Sequence, residues 1–177
     1  GGTHNISNSL AAIAAADLLG IEREYTLAGL ACFGGAHRRF ERKGTLGNVT
    51  VIDDYAHHPT EIKATLTTAL HTPHNELWVV FQPHTYTRTK ALFEDFAEAL
   101  KGFDHVILVD IYAAREADTG LVHAKDLAAR IKSLGTDARY FSSFEAVENY
   151  LLLNCKKNDL LITMGAGDVV NIGDSLL

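Results

Sequence analysis

Four short apolar runs, residues 77–81, 106–109, 138–141 and 160–163, alternate with segments whose apolar residues recur at helical spacing. Ile62, Leu66, Ala69 and Leu70 make one such face, Leu92, Phe96, Ala99 and Leu100 another. Leu127, Ala128 and Ile131, then Phe144, Val147 and Leu151, make two more. Apolar strands separated by helices call for a mostly parallel sheet covered on both faces and joined by right-handed crossovers. The fold class is therefore α/β, Rossmann-like, with helices on both sides of the sheet.

The first third of the chain reads differently. Leu10, Ile13, Ala14 and Leu18 have helical spacing, Gly20 closes that helix, and a second helix covers residues 26–31. Gly34-Gly35 marks a loop, and residues 40–43 and 48–53 flank Gly44 and Gly47 as two strands of a hairpin. The boundary falls near residues 33–37, giving helices over 1–33 and a Rossmann-like unit over 34–177. Those helices are too few to fold alone, and the chain enters them at once, so a missing upstream part is expected.

Composition narrows the function classes. Apolar residues make up 47% of the 177, enough for a proper core, and the net charge of -6 carries no Lys/Arg run. A nucleic-acid or anionic-membrane surface is not expected from such charge. No apolar run approaches the ~18 residues of a membrane span, and no charged-then-apolar leader is visible. Cys32 and Cys155 form no metal pattern, which suits reduced thiols and a cytoplasmic location.

In a parallel sheet the C-terminal strand ends share one edge, where ligands of α/β proteins bind. Asp53 and Asp54 end the first parallel strand, Gln82-Pro83-His84-Thr85-Tyr86-Thr87-Arg88 ends the next, Asp110-Ile111-Tyr112 the third, and Gly165-Ala166-Gly167-Asp168 the last. Asp54 can bond turn amides or a ribose hydroxyl pair. His57 and His58 can be surface residues or a helix cap ahead of Pro59. Arg88 near a helix start runs against the macrodipole, so it is either a solvated arginine or a ligand for a phosphate or carboxylate. His37-Arg38-Arg39-Phe40 is either an exposed loop or a basic cluster whose two arginines suit a polyphosphate. Neither a Gly-x-x-x-x-Gly-Lys-Ser/Thr loop nor a full Gly-x-Gly-x-x-Gly is present, so any nucleotide site is only partly here.

Taken in order, His4-Asn5-x-x-Asn8, Arg38-Arg39-Phe40, Asp53 through Glu61 (Asp-Asp-Tyr-Ala-His-His-Pro-Thr-Glu), Phe81-Gln82-Pro83-His84-x-Tyr86-x-Arg88 and Gly165-Ala166-Gly167 resemble the C-terminal part of the Mur ligases. The resemblance spans essentially the whole chain. It implies a Rossmann-like C-terminal domain preceded by the tail of a central ATPase domain. The phosphate loop and the Mg2+ ligands of the family would lie upstream, so no metal ligand is expected here. The implied reaction is ATP-dependent amide formation through an acyl phosphate, joining UDP-N-acetylmuramate to L-alanine in peptidoglycan precursor synthesis. A recycling ligase of the same family that adds a whole tripeptide is the near alternative, and a non-catalytic binding module the distant one. By resemblance, Asn5 and Asn8 face adenine, Arg39 reaches the γ-phosphate, and Asp54 holds the ribose. Tyr55 and His57 then lie near the amino-acid pocket and reacting centre, and His84 and Arg88 meet the acceptor and the muramate carboxylate. Thr85 stands where relatives carry arginine, which lowers the charge of that loop.

Overall fold

The computed structural model describes residues 3–118 and 120–177; Gly1, Gly2, Thr119 and the side chains of Thr3 and His4 lie outside the described residues. The chain divides into two compact units, Gly1–Ala36 and His37–Leu177.

The first unit is a helical pair, α1 (Thr3–Leu18) and α2 (Arg23–Cys32), turning at Gly20 with φ +72. α2 is longer than the apolar spacing alone suggests. Ile6, Leu10, Leu18, Tyr25 and Leu27 are exposed, and Ala16 is the unit's one buried residue among those described.

The second unit holds six strands: β1 (Glu41–Leu46), β2 (Val49–Asp54), β3 (Leu77–Phe81), β4 (His105–Leu108), β5 (Asp137–Tyr140) and β6 (Leu160–Met164). Their order is β1-β2-β6-β3-β4-β5. β1 is the antiparallel hairpin partner of β2, and every other pairing is parallel. β3 (LWVVF) and β6 (LLITM) are buried at every position, as strands covered on both faces must be.

Strand side chains alternate between two cores. Ile52, Val79, Phe81, Val106, Leu108 and Ile162 pack with α3 (Pro59–Leu70), α5 (Phe93–Leu100) and α6 (Ala124–Ser133). Val51, Val80, Ile107 and Leu161 pack with α7 (Phe144–Asn154) and α8 (Val170–Leu176). Complete burial of each such side chain contributes roughly 1.5–3 kcal/mol. The expected helix near Leu92 is two pieces, α4 (Tyr86–Ala91) and α5, meeting at Leu92 (φ -112, ψ 23).

β6 enters between β2 and β3, and its helix lies on the face opposite theirs. Neighbouring strands thus send their chains to opposite sides at β6, the switch point where α/β sheets open a crevice. The register is even: Asp54 pairs with Met164, Met164 with Phe81, and Phe81 with Leu108. Tyr55, Gly165, Gln82 and Val109 therefore leave the sheet at one level.

Candidate active site

The two aspartates at the end of β2 face opposite ways, as adjacent strand residues must. Asp53 is fully buried on the α8 side. Its Oδ1 accepts the Thr163 hydroxyl at 2.8 Å and its Oδ2 accepts Arg38 Nε at 2.9 Å. Asp54, 7% exposed, lies on the α3 side. Its Oδ1 accepts the Ala56 amide at 2.8 Å, and its Oδ2 accepts the Phe40 amide at 3.1 Å and the Thr65 hydroxyl at 3.0 Å. Burial raises the Asp54 carboxyl pKa above the ordinary value, against the lowering pull of these donors and of the Arg39 charge. These three donors give Asp54 a role inside the domain, whatever it contacts in a complex. It ties the entry to β1, the turn after β2 and α3 together, which is the turn-bonding alternative.

Arg38 departs from the expectation of a ligand-facing pair. Its φ is +56. Besides Asp53, its guanidinium donates Nη2 to Gly165 O at 2.8 Å and Nη1 to Gly167 O at 3.2 Å. Its Cζ lies 5.0 Å from the Tyr55 ring centroid, and its carbonyl accepts the Tyr55 amide at 2.7 Å. With three of its five donors and its charge engaged inside the domain, Arg38 is not one of two free arginines for a polyphosphate. Arg39 is the exposed one, its Cζ 5.6 Å from the Tyr55 centroid and, among the described residues, paired with no carboxylate.

The Gly165-Ala166-Gly167 turn is closed from both sides. Gln82 Nε2 donates to Asp168 Oδ1 at 2.8 Å, and Gln82 Oε1 accepts the Val169 amide at 3.2 Å. Gly165 has φ +148, and a Cβ at Gly167 would sit 2.2 Å from Gln82 Oε1 and 2.7 Å from Tyr112 Cγ. Glycine is required at both places.

Above this floor four rings form a row. Tyr55 and His57 are 5.4 Å apart edge to face, His57 and His84 5.8 Å, and His84 and Tyr112 5.6 Å and stacked. His57 Nδ1 lies 2.9 Å from the Tyr55 carbonyl. In the neutral ring that bond places the proton on Nδ1 and leaves Nε2 as an acceptor. Arg88 Nη1 approaches His84 Nδ1 at 3.5 Å. Burial first, then the Arg88 and His57 charges, lower the His84 pKa and favour its neutral form. His58 takes no place in the row. It caps α3, its Nδ1 accepting the Thr60 amide at 3.3 Å while Glu61 accepts the His57 and His58 amides at 3.0 and 3.1 Å. With Pro59 at the first position this is a capping box.

Tyr55, His57, His84, Arg88 and Arg39 therefore share one rim in the second unit. Asn5 and Asn8 are exposed on α1 of the first unit. Tyr112 was not anticipated as a site residue; its position at the end of the third parallel strand was the available signal. The rim offers two guanidiniums without carboxylate partners among the described residues, an imidazole acceptor and a phenol. That set suits oxyanions and a nucleophile that must shed a proton.

Comparison with known proteins agrees with the fold. Residues 38–167 match the family model described as "Mur ligase, glutamate ligase domain". A UDP-N-acetylmuramate–L-alanine ligase of Lachnospira eligens is 59% identical over 176 residues, covering 99% of this chain and 38% of that protein. One from Clostridium perfringens is 51% identical with the same coverage. The crystal structure of UDP-N-acetylmuramate-alanine ligase from Thermotoga maritima superposes with a TM-score of 0.80 at 33% identity, covering 99% of this chain and 37% of that one. A murein peptide ligase from Psychrobacter arcticus gives 0.76 at 28% identity, covering 99% and 36%. The chain spans 38% of the length of the curated relatives it matches.

Proposed function

Because the chain belongs to the Mur ligase family, we propose that it is the C-terminal, acceptor-binding part of an ATP-dependent ligase joining L-alanine to UDP-N-acetylmuramate in the cytoplasm. The observation that carries this reading is the rim itself, where Arg39 and Arg88, free of carboxylate partners among the described residues, flank His57 and His84. The high identity to alanine ligases favours L-alanine over a peptide acceptor.

ATP supplies the phosphoryl group that makes an acyl phosphate of the muramate carboxylate. The exposed guanidinium of Arg39 fits phosphate oxygens, and the exposed amides of Asn5 and Asn8 are assigned to adenine. No group of three His, Cys, Asp or Glu side chains among the described residues suits Mg2+, so no step is assigned to the metal here.

Arg39 neutralises charge on the phosphoryl oxygens, and Arg88 holds a carboxylate as a bidentate fork. His57 Nε2 accepts the proton lost by the alanine amine as its nitrogen bonds to the acyl carbon. The carbon–oxygen bond to phosphate then breaks, and phosphate leaves. Tyr55, whose ring meets that of His57 edge to face, shields the reacting atoms from water.

The test uses a complete ligase whose C-terminal part is this chain. Arg39→Ala is expected to lower kcat by about 10²-fold or more, the scale of losing one transition-state donor. Arg88→Ala is expected to raise the KM for L-alanine by roughly 10- to 100-fold, as for a hydrogen bond to a charged group. Wild-type constants in both variants would refute the assignment.

A further inference from the structure

The chain leaving β4 does not simply depart from the sheet. Tyr112 forms an isolated parallel bridge with His84: its amide donates to Pro83 O at 2.8 Å, and its carbonyl accepts the Thr85 amide at 2.9 Å. A turn follows, closed by the Glu116 amide on Ala113 O at 2.9 Å. It returns the Glu116 carboxylate to α4. Oε2 accepts the Thr87 amide at 2.9 Å, and Oε1 accepts the Thr87 hydroxyl. Those donors, with smaller contributions from the Tyr86 amide and Thr85 hydroxyl, hold the Glu116 carboxyl pKa below the ordinary value.

Two features show why α4 needs this. Its own N-cap residue, Thr85, makes no side-chain capping bond. Thr85 also sits at φ +67 and ψ 142, a strained conformation for a β-branched residue that persists only where its surroundings over-determine it. Here they do so from three sides: the Tyr112 carbonyl on its amide, the Thr89 amide and hydroxyl on its carbonyl, and Glu116 on the next turn of chain.

We propose that Glu116 is a positioning residue for the acceptor loop: with the Tyr112 bridge, it clamps the strained segment that carries His84 and Arg88. Arg88 follows Thr87 directly, and His84 precedes the strained Thr85. With the clamp released, Thr85 relaxes toward an ordinary φ and the first turn of α4 rotates, taking the Arg88 side chain off the rim. Glu116 is also the anion that the α4 macrodipole favours, so Arg88 near that helix start is not alone there. The inference rests on the reading of Arg88 and His84 as acceptor contacts.

In the complete ligase carrying this chain, Glu116→Ala is expected to raise the KM for L-alanine about tenfold, less than the ~10²-fold that a 1 Å misplacement can cost. The KM values for ATP and UDP-N-acetylmuramate should not change, and neither should the melting temperature. Glu116→Gln, which keeps an acceptor for the Thr87 amide, should restore most of the loss. An unchanged alanine KM in Glu116→Ala overturns the proposal, as does a parallel rise of all three KM values with a lower melting temperature. Arg88→Ala is measured alongside. If it raises the alanine KM and Glu116→Ala does not, the clamp alone fails; if Arg88→Ala has no effect, the acceptor reading beneath it fails.

Discussion

Replacing Arg38 by methionine tests the internal account of the rim most severely. Among the described residues the guanidinium is the one cation paired directly with Asp53, at 2.9 Å, and the two side chains are 15% and 0% exposed. Methionine fills much of the same volume but leaves the carboxylate with a single donor among the described residues, Thr163 Oγ1. Removing one partner of a buried pair costs about 3–5 kcal/mol, because the surviving charge stays desolvated. The carbonyls of Gly165 and Gly167 lose their donors as well. Domains are stable by only ~5–15 kcal/mol, so the loss is a large share of the total. At about 3 °C per kcal/mol for a unit of this size, the melting temperature should fall by about 10 °C. Urea unfolding followed by circular dichroism gives the free energy, and Asp53→Asn in the same background completes a double-mutant cycle. The account expects the double variant to be more stable than Arg38→Met alone. A loss under ~1 kcal/mol, or strictly additive single losses, would refute the role given to Arg38.

Four further outcomes follow from other contacts. Asp54→Ala strips the acceptor from two amides and a hydroxyl and should cost roughly 3 kcal/mol of stability, whereas a residue that only held ribose would raise the ATP KM at constant melting temperature. Since burial raises the Asp54 pKa above 3.8, its contribution to stability is full below that pH and drains as pH rises through the folded value; comparing wild type with Asp54→Asn by pH-dependent unfolding should show that slope. Tyr140, whose hydroxyl donates to Asp110 Oδ1 at 2.5 Å, has its pKa pushed up to about 12 by burial and that carboxylate. Ultraviolet titration should show a late phenolate step that Tyr140→Phe removes and Asp110→Asn moves to lower pH; the stability Tyr140 brings is present below pH 10 and lost through about 12. Gly167→Ala drives a Cβ into Gln82 and Tyr112 and should cost about 1–3 kcal/mol; a calorimetric melting temperature equal to wild type would show that the turn is looser than described.

The fold was legible because β3 and β6 are continuous apolar runs and the helical faces between them are clean. Strand order was not, since nothing in residues 160–164 says that this strand enters between the first two parallel ones. The rim was legible as a list of strand ends, and His58, Pro59 and Glu61 as a helix start. What each polar residue does there was harder to read. Alternation along a strand already separates Asp53 from Asp54, so one pocket cannot take both carboxylates. Arg38 and Arg39 look alike in sequence, and the carbonyls that occupy Arg38 lie 127 and 129 residues away. Glu116 reaches Thr87 only because β3 and β4 are neighbours and their loops continue the pairing. The break at Leu92 is invisible to spacing, because the apolar positions on either side keep helical period.

The central claim is that this rim receives L-alanine. The most direct measurement is phosphate release by a complete ligase carrying this chain, given ATP and UDP-N-acetylmuramate with either L-alanine or the tripeptide. The account predicts release that depends on L-alanine and is lost in His57→Ala. Release driven by the tripeptide alone, or unaffected by His57→Ala, would contradict it.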